Sequence, residues 1–572
     1  MDYSIKIGGE AGQGIQTIGD TLSHIFAKAG YNVFTHQDYE SRIRGGHNFY
    51  QIRISDRAVT ASRSLIDILV ALDLESIIQH EKELSITGHI LYDASYLKQK
   101  FNKPNFLDVP LVELAVTYGG NKIMANTVSI GAVLGMLGMN PEIMYELIKK
   151  IFKKKGEDVI KANLKSAEAG YRFAKEKCLT CSFMISEFEA PRMLITGNEA
   201  IGLGAIASGL KFYSAYPMTP STGIFNFIAE HAKEFGIVVE QAEDEIAAIN
   251  MTIGASFAGV RAMTATSGGG FALMVESISL AAMTETPLVV VLAQRPGPAT
   301  GLPTRTEQAD LMYALYAGHG EFAKVIFAPG SPEQAFYLTN KAFDLAEKYQ
   351  IIVIILTDQY LADSQWSYER FDISKLKYQD YRLRGENFKK LEEYKRHAFT
   401  DTGISPLGIP GDSTHLVITD SDEHDEEGHL TEDAETRVKM VEKRLFKKLP
   451  LIKKEISSPL VYGERNPEIL LVCWGSTYGI AKEVVDELRN KFRIAMMHFS
   501  EIYPLPEDET WLKTLTEAKT VINIEQNATG QFAKLLRMET GLKIERHINR
   551  FDGRPFSVDE LKDRVYAYLR EL

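Results

Sequence analysis

Cysteine is scarce in this chain, with three residues among 572. So low a content excludes a disulfide-stabilised scaffold and is typical of a protein from a reducing cytosol, where we expect this one to be. It also provides too few thiolates for the Cys₄ ligation of an iron–sulfur cluster. Cys178 and Cys181 form a lone C-x-x-C after a basic helical stretch. We interpret them as incidental thiols near a domain boundary.

Long apolar runs are also missing, since no run approaches the length of a membrane span. Met1 opens directly into a strand-like pattern, so we expect neither a signal peptide nor a transmembrane helix. Positive charge is not in excess, because 64 Lys and Arg residues face 76 Asp and Glu residues, for a net charge of −12. This balance argues against nucleic acid as the main partner.

Strand and helix patterns alternate along most of the sequence, which predicts an α/β protein with three α/β domains and parallel sheets. We place the first domain at 1–180, a linker at 181–191 and the second domain at 192–365. The segment 366–465 is rich in charge and poor in strand pattern, which predicts an irregular connection packed on the surface or on a partner. The third domain occupies 466–572.

The first domain contains two glycine-rich stretches. "GGEAGQG" (8–14) follows a predicted strand, but its spacing does not match the dinucleotide-binding fingerprint. It either binds an anion through backbone amides at a helix N-terminus or simply permits a tight turn, and we slightly favour the turn. In "RIRGGH", Arg42 and Arg44 precede Gly45 and Gly46. A basic, flexible loop of this kind suits contact with a phosphate or carboxylate, and equally a salt bridge between subunits.

In the second domain, "YPMTPST" (216–222) stands between a predicted strand and a predicted helix. Pro217 and Pro220 fix two φ angles and remove two amide donors, so the stretch is a stiff turn. A following hydroxyl group would cap the next helix. The turn either serves only as a well-capped connection or presents the Thr219 hydroxyl to a ligand.

Two further loops of this domain follow predicted strands. Residues 267–270 ("SGGG") expose backbone amides, and Arg295 lies just beyond the next strand. An arginine there suits a carboxylate, although a single arginine more often forms a surface ion pair. Because open α/β sheets bind ligands at the carboxyl ends of their strands, the loops at Thr219, 267–270 and Arg295 together predict a small-molecule site.

Glu245 lies where an acidic stretch becomes an apolar helix ("QAEDEIAAI"). Glu240, Glu243 and Asp244 suit a solvated first turn, which the helix dipole favours. Glu245 adjoins the face that enters the core. A carboxylate in that position is either paired or used for proton chemistry.

These residues resemble a known family. "YPMTPST" resembles the Y-P-I-T-P motif of the 2-oxoacid:ferredoxin oxidoreductases, with Met218 in place of the usual isoleucine. "DEIAAI", "TSGGG" and "RPGPATGLPTRTEQADL" follow in the order and spacing of that family's α chain, and "GGEAGQG" and "RGG" resemble its γ part. The chain therefore resembles a fused γα subunit over nearly its whole length. The resemblance implies a γ-type N-terminal domain, a thiamine pyrimidine-binding domain and a transketolase C-terminal-like domain.

The resemblance also implies roles for individual residues. Glu245 would hydrogen-bond the pyrimidine ring of thiamine diphosphate and so promote deprotonation of its thiazolium carbon. Thr219 and Arg295 would bind the carboxylate of a 2-oxoacid, and Thr304 is a weaker candidate for the same task. Further contacts to the cofactor would come from Tyr216, Pro217, Ser267, Gly268 and Gly269. Coenzyme A or a subunit interface would be contacted by Arg42, Arg44, Gly45 and Gly46.

The remaining components are implied to belong to other chains. The sequence has no G-D-G…N motif for Mg²⁺ and diphosphate, and we assign no metal to it; "DEHDEEGH" (422–429) resembles a family loop near the substrate, with irregular spacing for a metal site. The resemblance therefore places Mg²⁺ and the [4Fe-4S] cluster on a β subunit that shares the thiamine diphosphate. It further implies coenzyme A as co-substrate, ferredoxin as acceptor, an (αβ)₂ assembly and a cytoplasmic location, with no nucleic acid or membrane partner.

The γα architecture favours 2-oxoglutarate as substrate, with pyruvate or several 2-oxoacids as alternatives, and the direction of reaction stays open. Two other classes of protein are alternatives. An E1-type dehydrogenase chain would share the second and third domains but leaves the first 180 residues unexplained. A nucleotide-binding or scaffold protein would use the glycine loops but gives Glu245, Thr219 and Arg295 no role.

Overall fold

The computed structural model describes residues 1–41, 45–185, 188 and 190–570. The predicted contacts of Arg42 and Arg44 therefore lie outside the described residues. The strands, in chain order, are β1 (Asp2–Ala11), β2 (Asn32–Asp38), β3 (Gly45–Ser55), β4 (Ile66–Ala71), β5 (Leu84–Tyr92), β6 (Phe106–Asp108), β7 (Met193–Thr196), β8 (Leu210–Ala215), β9 (Val238–Gln241), β10 (Arg261–Thr266), β11 (Leu288–Gln294), β12 (Lys324–Phe327), β13 (Ile352–Asp358), β14 (Gln365–Tyr368), β15 (Arg382–Leu383), β16 (Leu407–Gly408), β17 (Leu460–Gly463), β18 (Ile469–Trp474), β19 (Ile494–Phe499), β20 (Glu501–Tyr503), β21 (Thr520–Glu525) and β22 (Arg546–Asn549).

The α-helices are α1 (Ile15–Lys28), α2 (Leu74–His80), α3 (Ala94–Leu97), α4 (Leu111–Gly119), α5 (Ala125–Leu137), α6 (Glu142–Phe152), α7 (Glu157–Lys177), α8 (Gly197–Ala207), α9 (Thr222–Phe235), α10 (Glu245–Phe257), α11 (Gly268–Met283), α12 (Leu311–Tyr316), α13 (Pro332–Tyr349), α14 (Gln359–Asp363), α15 (Gly385–Lys389), α16 (Ala434–Val441), α17 (Lys448–Glu455), α18 (Tyr478–Leu488), α19 (Thr510–Glu517), α20 (Gln531–Thr540) and α21 (Val558–Arg570). A π-helical turn, Glu442–Lys447, connects α16 to α17. Among the described residues, no helix combines the length and apolar character needed to cross a bilayer.

The chain divides into two compact units. Unit 1 comprises Met1–Ile195, Ser364–Phe371 and Ser557–Leu572, and unit 2 comprises Thr196–Asp363 and Asp372–Phe556. This division by compactness is not the same as the division into domains by sequence pattern, and the predicted domain boundaries stay predictions.

Unit 1 is built on a mixed sheet in the order β6-β5-β4-β1-β3-β2-β14-β7. β1, β4, β5 and β6 are parallel, as the sequence predicts, whereas β3 pairs antiparallel with both β1 and β2. Only residues 39–44 separate β2 from β3, which is too short for the crossover that parallel pairing requires. The helices α1 and α4–α7 cover one face of this sheet in a continuous apolar core.

Besides a small parallel pair formed by β15 and β16, unit 2 contains two larger sheets. The first has the order β20-β12-β13-β11-β10-β8-β9, in which β8 to β13 are parallel. The second has the order β17-β19-β18-β21-β22, with β17 as its antiparallel edge strand. Their helices pack in one shared apolar core, which includes Phe271 and Trp474. β20 pairs with β12, so the C-terminal part of unit 2 also extends the first sheet.

The charged connection that follows β14 is anchored in unit 2 by a buried ionic cluster around Glu285. The ammonium groups of Lys443 and Lys448 and the imidazole of His397 all bind the Glu285 carboxylate. Arg396 binds the main-chain oxygen of the same residue at 2.7 Å. Burial alone would raise the pKa of Glu285, but the two ammonium groups hold it well below its usual value. Part of this segment, for which the charge predicts packing on the surface or on a partner, is therefore buried within unit 2.

The C-x-x-C is paired. The structure joins Cys178 and Cys181 in a disulfide at the C-terminal end of α7, so the prediction of two incidental thiols is wrong. The spacing of two intervening residues returns the chain on itself just after the helix, and the Cys178 amide donates to Ala174 O of the last helical turn. Cys473 is free and buried in β18.

Candidate functional site

Three strands of the first sheet of unit 2 end at the same edge. β8, β10 and β11 are consecutive parallel neighbours, and they end at Ala215, Thr266 and Gln294. The loops that begin there contain the predicted site residues Thr219, Ser267 and Arg295. The parallel order thus brings together polar groups that lie up to 76 positions apart in sequence.

The loop after β8 is held rigidly in place. The Asn198 side chain, from α8, donates to Pro220 O at 2.9 Å, and the Ser221 hydroxyl donates to Met218 O at 2.7 Å. Ser221 is the N-cap residue of α9, but its side chain makes no capping bond. The Thr219 main-chain oxygen accepts a hydrogen bond from Arg295 Nη1 at 2.8 Å. These hydrogen bonds therefore hold the loop in one conformation, and Arg295 donates one of them.

Tyr216 and Pro217 begin this loop immediately after β8. Tyr216 is exposed, Pro217 and Thr219 are half-buried, and Pro220 is buried. Thr304 is buried in the loop after β11. Thr219 and Arg295 are thus in direct contact, whereas Thr304 belongs to the same loop as Arg295, nine positions further along the chain.

Glu245 is the first residue of α10, and only 4% of it is exposed. The helix begins there because Asp244 caps it, accepting from the Ala247 amide at 2.7 Å. Among the described residues, Oε1 of Glu245 has no hydrogen-bond partner. A buried carboxylate oxygen without a donor is costly, so this atom requires a donor that the described part of the chain does not supply.

Burial raises the pKa of Glu245 above its ordinary value. The N-terminus of α10 has the opposite tendency, because its free amides favour a negative charge. Burial therefore favours the neutral carboxyl group of Glu245, whereas the helix N-terminus favours its ionised form. A hydrogen-bond donor placed against Oε1 would stabilise the ionised form.

Gly270, in the first turn of α11, lies directly against this carboxylate. A Cβ at Gly270 would stand 2.3 Å from Glu245 Oε1 and 2.2 Å from Thr266 Oγ1. Only glycine therefore permits α11 to approach α10 so closely. From the sequence, Gly270 is predicted to belong to the exposed "SGGG" loop, and the run of three glycines is the only local signal of this contact.

The other residues of the "SGGG" stretch surround the start of α11. Ser267 is its N-cap residue, and its buried Oγ has no partner among the described residues. Gly269 is exposed, and a Cβ there would meet nothing within 4 Å. A Cβ at Gly268 would lie 2.9 Å from Asp310 Oδ2. The backbone at 268–270 is thus accessible on one side and closely packed on the other.

Two acidic residues at this edge were missed by the sequence analysis. Burial raises the pKa of Asp310 to about 6, an effect that Arg295 opposes. Burial, with a contribution from Asp310, raises the pKa of Glu307 to about 7. Both residues lie in "RTEQADL". Their position in a loop that follows a strand of a parallel sheet could have identified them as candidate site residues. The site therefore contains carboxyl groups that change charge near neutral pH.

The predicted glycine-rich stretches of unit 1 lie beside each other. Gly45, with φ of +74°, pairs with Ala11 at the end of β1, and Gly46 follows with φ of +75°. Next to them, His47 Nε2 lies 2.7 Å from His80 Nε2. The structure thus places Ala11, in the middle of "GGEAGQG", beside Gly45 of the second stretch.

The acidic loop around His424 contains a short bridge between His424 and Leu430, in agreement with the loop predicted there. Residues 527–531 ("NATGQ") connect the C-terminal part of unit 2 to the loop after β11. Asn527 donates to Gln308 O at 3.0 Å, and Gln308 donates to Trp474 O at 2.9 Å. This loop is therefore fixed at both ends.

The residues present fit the pyrimidine end of thiamine diphosphate. A buried carboxylate with an unpartnered oxygen is the acceptor that a protonated ring nitrogen requires. A Cβ at Gly269 would meet nothing within 4 Å, so the first turn of α11 has open space on its exposed side. Residues Ile246 and Leu273, on the outer sides of α10 and α11, are 48% and 49% exposed. The site is therefore bordered by an apolar surface that another chain can cover.

Comparison with known protein families agrees with this assignment. Residues 203–443 match the family described as pyruvate flavodoxin/ferredoxin oxidoreductase, thiamine diphosphate-binding. Residues 4–173 match the pyruvate ferredoxin/flavodoxin oxidoreductase family, and residues 467–561 match core domain II of pyruvate:ferredoxin oxidoreductase. The three matches follow the order of the three predicted α/β domains.

Individual relatives match over the full length. The 2-oxoacid:ferredoxin oxidoreductase subunit alpha of Sulfolobus sp is 33% identical over 100% of this chain and 98% of its own length. The 2-oxoglutarate oxidoreductase subunit KorA of Mycobacterium tuberculosis is 28% identical over 99% of this chain and 91% of its own length. The structure of 2-oxoglutarate:ferredoxin oxidoreductase from Magnetococcus marinus, with 2-oxoglutarate, coenzyme A and succinyl-CoA bound, superposes with a TM-score of 0.90 at 31% identity and covers 99% of both chains. With this similarity along its whole length, the chain belongs to the family of 2-oxoacid:ferredoxin oxidoreductase alpha subunits.

Proposed function

We propose that this chain is the alpha subunit of an enzyme that converts 2-oxoglutarate and coenzyme A to succinyl-CoA and CO₂. Two oxidised ferredoxins would each accept one electron, and a proton would be released. The same couple can be driven in reverse to fix CO₂. The observation that supports the proposal best is the buried Glu245 carboxylate, whose Oε1 lies against Gly270 and has no hydrogen-bond partner among the residues that the structure describes.

Glu245 would accept a hydrogen bond from the pyrimidine ring of thiamine diphosphate, close to Tyr216, Pro217, Ser267, Gly268 and Gly269. When bound, the cofactor supplies the electron sink that decarboxylation of a 2-oxoacid requires. Glu245 would keep the ring in the protonation state that the reaction needs, and its burial makes that hydrogen bond strong. The rigid loop at 216–221 would exclude water from one side of the ring.

Arg295 and Thr219 would bind the substrate carboxylate. A guanidinium group has five N–H donors, and Arg295 uses Nη1 for the oxygen of Thr219. The remaining donors suit a carboxylate in a half-buried site, where a charge-assisted hydrogen bond is strong. The Thr219 hydroxyl would add a second donor, and Thr304 is a further candidate in the same loop as Arg295. Asp310 would help to orient Arg295.

We further propose that a β subunit completes the active site and provides the diphosphate site, Mg²⁺ and the [4Fe-4S] cluster. The exposed apolar side chains of Ile246 and Leu273 support this, because they border the site without covering it. An (αβ)₂ assembly in the cytoplasm would follow. In unit 1, the stretch at Gly45 and Gly46 would contact coenzyme A or another subunit.

The substrate is inferred from the relatives, since both the Mycobacterium and the Magnetococcus proteins are named for 2-oxoglutarate. The Sulfolobus relative is named only for 2-oxoacids. A broader specificity, which includes pyruvate, is therefore the second candidate.

The test is a rate assay on the complex purified with the partner it binds. Reduction of ferredoxin is measured with 2-oxoglutarate, pyruvate or a branched 2-oxoacid, each with and without coenzyme A. We expect reduction that requires coenzyme A and is fastest with 2-oxoglutarate. Equal rates with pyruvate would replace the proposal by broad specificity. No reduction with any 2-oxoacid, from a complex that retains thiamine diphosphate and its cluster, would refute the reaction.

A further inference from the structure

Cys178 and Cys181 lie next to a buried histidine of unit 1. His89 belongs to β5, about 90 positions earlier in the chain, and one of its ring nitrogens lies within 4.8 Å of both sulfur atoms. Two thiols and an imidazole at such distances are the donor set of a Cys₂His zinc site. Tertiary folding alone brings the three together.

His89 is held in one orientation. It is 4% exposed, its Nε2 lies 2.8 Å from the Thr180 hydroxyl, and the Phe183 ring packs against it with centroids 5.9 Å apart. Nδ1 of His89 is buried, and a hydrogen bond to the main chain of Thr87 acts on the ring. A fixed, buried imidazole with one nitrogen bonded to the backbone can offer its other nitrogen to a metal ion.

The two sulfurs are poorly placed for nucleophilic chemistry. Reactive thiolates of C-x-x-C motifs lie at helix N-termini, where the dipole lowers their pKa. Here the pair follows the C-terminal end of α7, where the carbonyl groups disfavour a thiolate. Both cysteines also pack against the apolar core of unit 1. Free thiolates are thus disfavoured at this position, whereas a disulfide or metal-bound sulfurs are not.

We propose that Cys178, Cys181 and His89 form a redox-controlled zinc site, closed as a disulfide under oxidising conditions and filled by Zn²⁺ once the disulfide is reduced. A dithiol reductant transfers two electrons and two protons to the disulfide and becomes a disulfide itself. Zn²⁺ then replaces the two thiol protons. The sulfurs separate to about 3.8 Å, the spacing of two thiolates on a tetrahedral zinc ion, and water occupies the fourth position. In a reducing cytosol the zinc form would predominate.

The test uses the full chain, reduced with dithiothreitol without oxygen, incubated with ZnCl₂ and freed of excess metal by gel filtration. We expect one equivalent of zinc per chain, released when oxidised glutathione restores the disulfide. Cys178→Ser/Cys181→Ser should lose this zinc, and His89→Gln should bind it at least tenfold more weakly. Cys473→Ser and His429→Ala are the matched controls and should keep it, since they change the free cysteine and a separate exposed group of possible ligands.

Cobalt provides a readout that does not depend on the folding of a variant. Co²⁺ added to the reduced wild-type chain should produce thiolate-to-metal charge-transfer absorption, and oxidation should abolish it. Substoichiometric zinc in the reduced wild type, or the absence of that absorption, would overturn the proposal. Full zinc content in the double cysteine variant, or unchanged affinity in His89→Gln, would also overturn it.

Discussion

Nη1 of Arg295 lies 2.8 Å from the main-chain oxygen of Thr219 and joins the loops that follow β11 and β8. The arginine therefore shapes the site even before a substrate binds. It is also half-buried, and burial lowers its pKa from the usual high value, an effect that Asp310 opposes. A substrate carboxylate that enters here would meet a guanidinium group that is already oriented.

Arg295→Ala is expected to raise the KM for every 2-oxoacid by about 10- to 100-fold, because this factor corresponds to the free energy of one charge-assisted hydrogen bond. Steady-state kinetics of the complex would measure this. Arg489→Ala is the matched control, because Arg489 is exposed and its ion pair with Asp486 lies at the C-terminal end of α18, beside the C-terminal sheet of unit 2. If the KM of Arg295→Ala is unchanged, the arginine only fastens the Thr219 loop.

Glu245→Gln is expected to reduce turnover by about 10²- to 10⁴-fold, because the amide keeps the shape but cannot replace the carboxylate in proton chemistry. Its thermal stability without cofactor should be equal to or above that of the wild type, since a buried charge is removed. Calorimetry and kcat measurements would check both parts. Glu243→Gln alters an exposed neighbour and should change neither. Retained turnover in Glu245→Gln would refute the assigned role.

Gly270→Ala is expected to destabilise the cofactor-free chain by about 1–3 kcal/mol, because the added methyl overlaps Glu245 and Thr266. Gly254→Ala, in the middle of α10, places its methyl in open space and should instead stabilise by up to about 1 kcal/mol. Urea denaturation would measure both. Effects of the same sign and size would show that α10 and α11 are not so closely packed.

Asp310 and Glu307 should make the cofactor-free chain less stable as the pH rises. Their pKa values are raised to about 6 and about 7 in the folded state, so the folded chain binds more protons than the unfolded chain between about pH 4 and those values. Stability contributed by these protons is complete at low pH and is lost as each group ionises. Asp310→Asn should remove the part of the stability loss that occurs between about pH 4 and about pH 6. Glu307→Gln should remove the part that extends to about pH 7.

Thermal unfolding of wild type and variants across this pH range would test the prediction. The exposed Glu321→Gln serves as the control and should leave the pH profile as it is in the wild type. A profile that Asp310→Asn and Glu307→Gln also leave unchanged would contradict the raised pKa values.

Glu285→Gln is expected to destabilise the chain by about 3–5 kcal/mol, because it leaves Lys443 and Lys448 buried without a counter-charge. Denaturation in urea would measure the loss. Glu435→Gln breaks the exposed pair with Lys439 on α16 and should cost no more than about 1 kcal/mol. Similar losses in the two variants would show that the cluster is not the anchor of the charged connection.

Much of the fold and part of the candidate site were accessible from the sequence. Repeated strand and helix patterns predicted the α/β class, because the periodicity of apolar residues follows directly from secondary structure. The order of strands, glycine turns and polar loops predicted that Thr219, Ser267 and Arg295 approach one edge, since parallel strands end together. The three family matches bear out the predicted class.

Other features depended on contacts between distant residues. No local pattern distinguishes Lys443 and Lys448 from the exposed lysines around them, and only packing against Glu285 makes them buried. The antiparallel pairing of β3 with β1 likewise contradicts the parallel sheet predicted from the alternation of elements.

The sequence by itself determined the family, the helices and strands and the side chains available for chemistry, because these follow from residue type and spacing. Only the tertiary structure decided which of those side chains are buried, unpaired or adjacent. It left Oε1 of Glu245, beside Gly270, without a donor from the residues that the structure describes, and it paired Cys178 with Cys181 next to His89. The reason is that desolvation and distance depend on long-range packing, which spacing along the chain does not contain.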